Sequence, residues 1–402
     1  MGTVLLAGTF DTKGAEYDFV RTLIQARGHR ALTMDLGTQG DPPFPVDIPA
    51  SDVARAAGGT LSRLRERADR GDATDTMLAG SRVLVRRLFD EKRFDGVLGL
   101  GGGGGTTMIT AAMRELPVGV PKVMVSTMAS GNTSPYVDVK DITMMYSVVD
   151  IAGLNPISIQ ILRNAAGAVC GMIEQAAAAG PQPRPLIAAT MFGVTTPCVT
   201  AARKRLEAAG YDVVVFHATG TGGRAMEGLI DDGYFAGVLD ATTTEWCDEV
   251  VGGVLSAGPD RLSAAARKGI PQVVSVGALD MVNFGPADTI PEKFRERNLY
   301  RHNATVTLMR TTPDECREIG RRIAEQLNRA TSPVVLMLPS RGVSMIDAEG
   351  KPFHDPRADR ALFESLRKHV GPGVRIREVD AHINDDEFAH ALADELLALL
   401  PR

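Results

Sequence analysis

An unbroken row of glycines follows a short apolar run in the first half of the chain. Residues 96–100 read Gly-Val-Leu-Gly-Leu, glycine then occupies positions 101–105, and residues 108–113 are predicted to form a helix. A strand, a glycine-rich turn and a helix in this order present bare backbone N–H groups to an anion. A tight turn that packs a helix closely against a sheet would need the same glycines. The row is not a GxxxxGK[ST] loop, because no lysine follows it, and no acidic residue is placed as in dinucleotide-binding folds.

A comparable turn follows the first predicted strand. Residues 3–7 are apolar, and residues 8–14 read Gly-Thr-Phe-Asp-Thr-Lys-Gly before a helical pattern begins. The side chains that could contact phosphate oxygens here are those of Thr9, Thr12 and Lys13. Asp11 could cap the helix or hold a metal ion through oxygen. A capping aspartate and a solvated lysine remain the alternative interpretation.

A third turn rich in small hydroxyl residues follows the predicted strand at 118–126 and covers 127–133. Because parallel strands end at the same edge of a sheet, the three turns are expected to share one ligand site. The segment 141–155 is more apolar than a loop and is expected to fill core or interface.

Strand and helix patterns alternate along all 402 residues, a length that favours two domains of about 200 residues each. A Pro-rich stretch, Gly180 to Pro185, is interpreted as a stiff linker. The sequence therefore predicts an α/β protein with two Rossmann-like, doubly wound domains and mainly parallel sheets. The domains are predicted at 1–183 and 184–402, with a ligand cleft between them.

Composition excludes several classes of partner. The net charge of −5 gives no electrostatic case for nucleic acid or for an anionic membrane. No apolar run reaches the ~18 residues of a membrane helix, and the N-terminus lacks the basic region of a signal peptide. The four cysteines form no CxxC pair. They are expected to be reduced thiols in a cytoplasmic protein.

The second half carries acids, histidines and hydroxyl residues at predicted strand ends. The candidate catalytic residues are His217, Asp240, Asp280 and His302. The candidate substrate-binding residues are Thr195, Thr196, Thr221, Gly222, Gly223, Arg224 and Asn283. An arginine in the first turn of a helix suggests a nearby anion, because the helix dipole alone disfavours a cation there. The alternatives are an exposed arginine, a core histidine, and an Asp240 that binds the hydroxyls of the next three threonines.

Together these turns resemble a known family. The motifs are Gly8 to Glu16, the glycine row, Asp141 to Asn155, Met191 to Pro197, His217 to Met226 and Asp280 to Pro286. They are similar to the N-terminal ATP-binding region of the tomato mosaic virus resistance protein family and to bacterial proteins built from that region. The resemblance spans nearly the whole chain. It implies two α/β domains, binding of ATP with Mg²⁺, and a homodimer.

The leading interpretation is an ATP- and Mg²⁺-dependent enzyme that acts on a small polar, carboxylate-type metabolite. The residues predicted to bind the cofactor are Gly8, Thr9, Asp11, Thr12, Lys13, Gly101, Gly102, Gly103, Gly104, Gly105, Thr106, Ser130, Gly131 and Asn132, with Asp11 as the metal ligand. One alternative is a C–C or C–N lyase or hydrolase that does not consume the nucleotide. Another is a regulatory or interaction module that binds ATP without chemistry.

Overall fold

A computed structural model describes residues 1–175 and 184–400. It divides into two compact units, Met1–Pro181 and Gln182–Arg402, and each is an α/β fold built on a parallel sheet, as the sequence predicts. The predicted linker lies outside the described residues except for Arg184 and Pro185. The ligand cleft between the domains stays a prediction. No helix among the described residues combines the length and the apolar character that crossing a bilayer requires.

The first unit contains a five-stranded sheet in the order β2-β1-β3-β4-β5, and every neighbouring pair is parallel. Its strands are β1 (Thr3–Gly8), β2 (Arg30–Asp35), β3 (Gly96–Gly101), β4 (Lys122–Ser126) and β5 (Thr143–Tyr146). Its helices are α1 (Phe10–Ala26), α2 (Ala50–Ala56), α3 (Leu61–Arg67), α4 (Arg70–Asp90), α5 (Gly103–Met113), α6 (Ser134–Val137) and α7 (Pro156–Glu174). All six residues of β3 are buried, as expected for a strand covered by helices on both faces. Two apolar clusters form the core of this unit.

The second unit contains a six-stranded parallel sheet in the order β14-β13-β9-β8-β6-β7 and a three-stranded antiparallel sheet in the order β10-β12-β11. Its strands are β6 (Leu186–Met191), β7 (Asp212–His217), β8 (Phe235–Thr242), β9 (Gln272–Gly277), β10 (Met281–Phe284), β11 (Leu299–Arg301), β12 (Thr307–Arg310), β13 (Val334–Pro339) and β14 (Val374–Val379). Its helices are α8 (Thr196–Ala208), α9 (Thr221–Asp231), α10 (Glu245–Val251), α11 (Ala264–Lys268), α12 (Pro313–Leu327), α13 (Pro356–His369) and α14 (Asp386–Leu399).

The structure corrects the expected path of the chain at several places. The helix after the glycine row begins at Gly103 rather than Met108, so three of the glycines form its first turn. Part of the apolar segment 141–155 is the edge strand β5, and β10 and β11 were not predicted as strands. These three strands have three or four residues each, which is too short to give a clear alternating pattern.

Candidate functional site

The first unit has a cleft at the point where its strand order reverses. The chain passes from β1 outward to β2 and then back across to β3, and open parallel sheets bind ligands in the crevice outside the strand ends at such a point. A cleft of about 590 Å³ opens there. Its walls come from the turns after β1, β2 and β3 and from α3 and α4. Of the three turns expected to share a ligand site, the first two line this cleft.

Tyr17 on α1 bridges β1 and β3 where their direct pairing ends. The register between β1 and β3 ends at the pair Ala7 and Gly99. Beyond it the Tyr17 hydroxyl accepts a hydrogen bond from Leu100 N at 2.7 Å and lies 2.6 Å from the carbonyl oxygen of Ala7. A Cβ at Gly8 would lie 1.8 Å from this hydroxyl oxygen. The predicted site residue Gly8 therefore serves the packing of Tyr17.

Two carboxylates organise the loops around the cleft. Asp35, at the end of β2, accepts hydrogen bonds from Phe10 N at 3.0 Å and Gly37 N at 2.9 Å, and its burial raises its pKa. Asp11 accepts hydrogen bonds from Gln39 N at 2.9 Å and Gly40 N at 3.2 Å through Oδ2. Its other oxygen, Oδ1, is buried and has no hydrogen-bond partner. Asp11 thus caps the loop after β2 rather than helix α1, which begins one residue earlier.

The polar side chains predicted after β1 lie along the cleft. Thr9, Thr12 and Lys13 all line it. The hydroxyl oxygens of Thr9 and Thr12 lie 2.9 Å apart. The Lys13 ammonium donates to the carbonyl oxygen of Ile151 at 2.5 Å, so this lysine is held by the protein. Its backbone departs from helical geometry, with φ −129° and ψ 28°, which kinks α1 at the edge of the cleft.

The glycines before and within the start of α5 divide into two groups with different physical roles. A Cβ at Gly99 would lie 2.4 Å from Ile109 Cγ2, and one at Gly101 would lie 3.0 Å from the backbone of Gly105. These glycines let α5 pack closely on β3. A Cβ at Gly103 or Gly104 would meet nothing within 4 Å, and both residues line the cleft. Since glycine costs about 1 kcal/mol relative to alanine in a helix, the packing of the fold does not explain these two glycines.

The first turn of α5 is also open to the cleft. No side chain caps its N-terminus at Gly102, and Gly102, Gly103, Gly104 and Gly105 all line the cleft. The first N–H groups of a helix need partners from outside the helix and favour an anion. Thr106, in contrast, is buried, and its hydroxyl lies 2.7 Å from Ser126 Oγ. Its role here is to tie α5 to β4.

Sequence reasoning missed the arginines on the opposite wall. Arg65 on α3 and Arg70 at the start of α4 line the cleft. Arg65 donates to the carbonyl oxygens of Thr38 at 3.2 Å and Gly40 at 2.6 Å and to Asp41 Oδ1 at 3.0 Å, and so lies against the loop that Asp11 caps. Between the two helices Ala68 has φ 52°. No local motif marks these arginines, because their position depends on how α3 folds back over the sheet.

The third predicted turn lies beside this cleft. A Cβ at Gly102 would be 3.7 Å from Thr127 Oγ1, so the turn begins next to the glycine row. Ser130, Gly131 and Asn132 are exposed residues further along it and are not part of the described lining of the cleft. The Asn132 side chain accepts hydrogen bonds from Ser134 N at 3.1 Å and Ser134 Oγ at 2.7 Å.

In the second unit the glycine-rich helix N-terminus has an anion supplied by the protein itself. Glu245 on α10 accepts hydrogen bonds from Gly220 N at 2.6 Å and Gly223 N at 3.1 Å. A Cβ at Gly222 would lie 1.8 Å from the carbonyl oxygen of His217, and one at Gly223 would lie 2.2 Å from Glu245 Oε2. The start of this helix, where the sequence suggested an anion, therefore binds the Glu245 carboxylate of the same unit. Arg224 itself donates to the Ser256 carbonyl oxygen at 3.3 Å.

Arg261 gathers the carboxylates behind this helix. It donates to both oxygens of Asp240, at 2.5 and 2.7 Å, and to Glu245 at 2.7 Å and Glu227 at 3.2 Å. Arg261 and Asp240 are each 1% exposed. Asp240 also accepts a hydrogen bond from Thr190 Oγ1 at 2.7 Å, rather than from the threonines that follow it. The geometry gives Asp240 a complete set of internal partners.

The other candidates in the second unit occupy separate environments. Asp280 is fully buried and accepts a hydrogen bond from Ser344 Oγ at 2.7 Å. Asn283 is also fully buried, and its amide donates to Asp248 at 2.7 Å; burial raises the pKa of Asp248 to about 7. His217 is exposed and stacks on Phe192, with ring centroids 5.4 Å apart. His302 is exposed beside the antiparallel sheet.

The candidate threonines of the second unit are divided between core and surface. Thr195 stands at the N-cap of α8, but its hydroxyl lies 2.8 Å from Thr242 Oγ1 and makes no capping bond. Thr196 donates to the carbonyl oxygen of Phe192 at 3.3 Å. Thr221 is exposed at the start of α9. Of these three hydroxyl groups, that of Thr195 is enclosed in the core of the unit.

The fold and the site define a class of protein with two α/β units, each built on a parallel sheet. The first unit carries a polar cleft, lined in part by glycines, at the point where its strand order reverses. The chain belongs to the family described as Uncharacterised protein family (UPF0261). The N-terminal domain of that family matches residues 2–178, and the C-terminal domain matches residues 184–400.

Relatives of this chain occur in bacteria and in tomato. A UPF0261 protein of Clostridium tetani is 53% identical over 99% of both chains, and UPF0261 protein RA0729 of Rhizobium meliloti is 51% identical over 97% of both. The ToMV resistance protein Tm-1(GCR237) of Solanum lycopersicum is 48% identical over 78% of this chain and 42% of its own length. The tomato proteins are therefore homologues, as the resemblance of the motifs predicted.

Proposed function

We propose that the first unit binds ATP with Mg²⁺ and that the chain uses this nucleotide in a reaction on a small polar, carboxylate-type metabolite. The observation that supports nucleotide binding is the coincidence of three features in one cleft. These are the open helix N-terminus at Gly102 to Gly105, the hydroxyl and ammonium groups of Thr9, Thr12 and Lys13, and the guanidinium groups of Arg65 and Arg70. Backbone N–H groups and basic side chains are the groups that proteins use for phosphates.

The glycines provide the strongest support, because they separate this proposal from a purely structural one. A methyl group at Gly103 or Gly104 would fit the fold and would favour the helix by up to about 1 kcal/mol. A ligand that lies directly on the backbone is a reason for glycine that packing does not supply. ATP is chosen among anions because of the family resemblance and because a cleft of about 590 Å³ is within the range of small-molecule sites.

Asp11 is the residue proposed to hold the magnesium ion. Its Oδ1 atom is buried without a partner, and an unpaired carboxylate oxygen beside a phosphate site fits a hard cation. Bound Mg²⁺ would neutralise phosphate charge. The contribution of the chain itself is to fix Asp11 through the N–H groups of Gln39 and Gly40.

Nucleotide binding is tested by titration calorimetry of the full chain with ATP and MgCl₂. Gly104→Ala should weaken binding at least tenfold, about 1.4 kcal/mol, because the methyl group would project into the cleft. Gly228→Ala is the matched control. Gly228 lies in α9 of the second unit, a Cβ there would also meet nothing within 4 Å, and the residue does not line the cleft. Absence of any heat with the wild-type chain, or equal affinities for the two variants, would refute the proposal.

The internal partners of Asp240 and Asp280 favour one alternative, a non-catalytic module in which ATP stabilises the fold by linkage. Incubation with ATP and a panel of small carboxylic acids separates the two. Release of ADP, AMP or phosphate that depends on one acid supports the enzyme. ATP that binds and remains intact with every acid supports the module, and turnover without ATP supports the lyase or hydrolase.

The homodimer is proposed as well, through an apolar surface on the first unit. Val148 and Ile157 are 58% and 52% exposed, with Tyr146 and Leu154 near them in sequence. Val148 has φ 63°, a conformation that costs a non-glycine residue of order 1–3 kcal/mol. Light scattering should give twice the chain mass, and Ile157→Glu should shift it toward the monomer. A wild-type chain that is monomeric at all concentrations contradicts this.

A further inference from the structure

The second unit has its own cleft, and none of the candidate residues described above lines it. Its volume is about 620 Å³. It lies at the carboxyl ends of β13 and β14, between the loop after β13 and helix α13. Its polar lining includes Arg341, Asp347, His354, Asp359 and Arg360. The carboxyl edge of a parallel sheet is where this class of fold places ligands.

The inner wall of this cleft has more carboxyl groups than cations. Arg310 on β12 donates to Asp359 Oδ1 at 2.6 Å and lies 3.4 Å from Asp347 Oδ1. Asp347 interacts electrostatically with both Asp359 and Asp280, which belong to the same charged cluster. The Asp347 side chain is 0% exposed, whereas that of Asp359 is 13% exposed. Asp359 is therefore the member of the cluster that a ligand in the cleft can reach.

The cluster is incompletely neutralised. The Arg310 guanidinium also donates to the Phe353 carbonyl oxygen at 2.7 Å and to Thr311 Oγ1 at 2.8 Å, so it is the sole cation shared by three described carboxyl groups. Asp280 is 0% exposed, and its buried Oδ1 atom has no hydrogen-bond partner. Asp280 accepts a hydrogen bond from Ser344 through its other oxygen, but the three carboxyl groups still outnumber the one guanidinium. A further cation beside Asp359 would offset this excess of acidic groups.

The outer wall offers a different charge. Arg367, which also lines the cleft, is paired with Glu378 at 2.6 Å. Arg341 is paired with Asp380 at 2.6 Å. Within residues 1–175 and 184–400, Arg360 has no carboxylate at ion-pair distance, and it is exposed next to Asp359 in the sequence. One guanidinium is thus available for an anionic group.

We propose that this cleft binds a small zwitterion whose primary ammonium group contacts Asp359 at the inner wall and whose carboxylate contacts Arg360. An ammonium group carries three donors and no acceptor, which matches a wall of carboxylate oxygens. This site is independent of nucleotide binding in the first unit, so either can fail without the other.

The proposal has a consequence for pH. Burial and the neighbouring Asp280 and Asp359 raise the pKa of Asp347 to about 9, so at neutral pH this carboxyl group holds a proton. An ammonium group bound to Asp359 would add a positive charge nearby, lower the pKa of Asp347 and so displace that proton. Four charged or titratable groups face Asp347 and Asp359. They are Arg310 on β12, Asp280 after β9, Asp355 before α13 and Cys316 on α12. Binding should therefore release a proton, and affinity should rise up to tenfold per pH unit between about 7 and 9.

The test uses the full chain with glycine, β-alanine and 4-aminobutyrate at up to about 10 mM, followed by calorimetry and ligand-observed NMR. At least one of the three should bind saturably, with proton release in buffers of different ionisation enthalpy. Propionate, which lacks the ammonium group, should bind at least tenfold more weakly. No saturable binding by any amino acid, or equal binding of propionate, overturns the proposal.

Variants locate the site. Asp359→Asn should reduce affinity at least tenfold, and Arg360→Gln should weaken the amino acids but leave ethylammonium unchanged. Arg357→Gln on the same helix is the control, because Arg357 is exposed and does not line the cleft. If Asp359→Asn fails to fold by circular dichroism, Asp347→Asn replaces it and should abolish proton release. Unchanged affinity in the folded Asp359 variant, or unchanged proton release in the Asp347 variant, contradicts the assignment.

Discussion

The two units use the same local sequence pattern for different purposes. In each, a parallel strand ends in a glycine-rich segment that opens a helix, at Gly102 to Gly105 in the first unit and at Gly220 to Gly223 in the second. In the second unit the backbone N–H groups of Gly220 and Gly223 donate to Glu245. In the first unit no side chain caps the helix, and its glycines line a cleft. The difference is whether the protein supplies the anion or leaves the position open.

This comparison shows that a glycine-rich strand end predicts an anion but not where the anion comes from. Glu245 lies more than twenty residues beyond the glycines it binds, and Arg261 that holds it lies further still. The space available for a Cβ atom distinguishes the two helix N-termini, because alanine fits at Gly104 and does not fit at Gly222. That criterion can be tested by substitution in both units.

The largest expected effect follows removal of the Arg261 guanidinium, which holds Glu245 at the N-terminus of α9. Arg261→Ala leaves three buried or nearly buried carboxylates, those of Glu227, Asp240 and Glu245, without their cation, and should lower the free energy of unfolding by about 3–5 kcal/mol. The single tryptophan, Trp246, is buried in the second unit, so its fluorescence in urea reports this loss. Arg267→Ala, at a half-exposed pair with Asp231, is the control and should change stability by less than about 1 kcal/mol. Equal effects of the two changes would mean that the buried network is not what holds Glu245 at this helix N-terminus.

The second prediction contrasts the glycines themselves. Gly222→Ala places a methyl group 1.8 Å from a backbone oxygen and should cost about 3 kcal/mol. Gly104→Ala has open space and should leave stability unchanged or raise it by up to about 1 kcal/mol. Thermal unfolding of both variants measures the contrast. Similar destabilisation by both would remove the distinction between an open and a closed helix end.

The third prediction concerns the junction between β1 and β3 in the first unit. Tyr17→Phe removes the hydroxyl that partners Leu100 N between β1 and β3, and should cost about 1–3 kcal/mol because buried backbone groups lose their partner. Hydrogen exchange at the amide of Leu100 should accelerate, while that of Val238 in the second unit should not. Unaltered exchange at Leu100 would show that the strands close without the tyrosine.

The smallest effect, compared over a single pH unit, is a pH dependence of stability that belongs to the second unit. The folded-state pKa of Asp347 is raised above its unfolded value, so the folded state retains a proton that the unfolded state loses, and stability falls as pH rises from about 4 to 9. Asp347→Asn should flatten this slope, by at most about 1.4 kcal/mol per pH unit. Urea unfolding followed by Trp246 fluorescence at several pH values measures it. An identical slope in the variant would place the retained proton elsewhere.

Local sequence was sufficient for most of the fold. The strands at β1, β3 and β13 are continuous apolar runs, which identify buried parallel strands. The start of α12 carries a capping box between Thr312 and Glu315, a pattern that marks a helix N-terminus in the sequence itself. The short strands β10 and β11 were missed, because three or four residues are too few to give a clear alternating pattern. The pairing of β10 with β12 also joins segments more than twenty residues apart.

The sequence by itself determined that glycine-rich turns would follow parallel strands and lie at one sheet edge, because apolar periodicity and glycine act locally. Which turns remain open was decided by tertiary structure alone. Arg65, Tyr17, Glu245 and Arg261 reach these turns from other elements. Their positions depend on helix packing over tens of residues, and electrostatic partners chosen through space leave no signature along the chain.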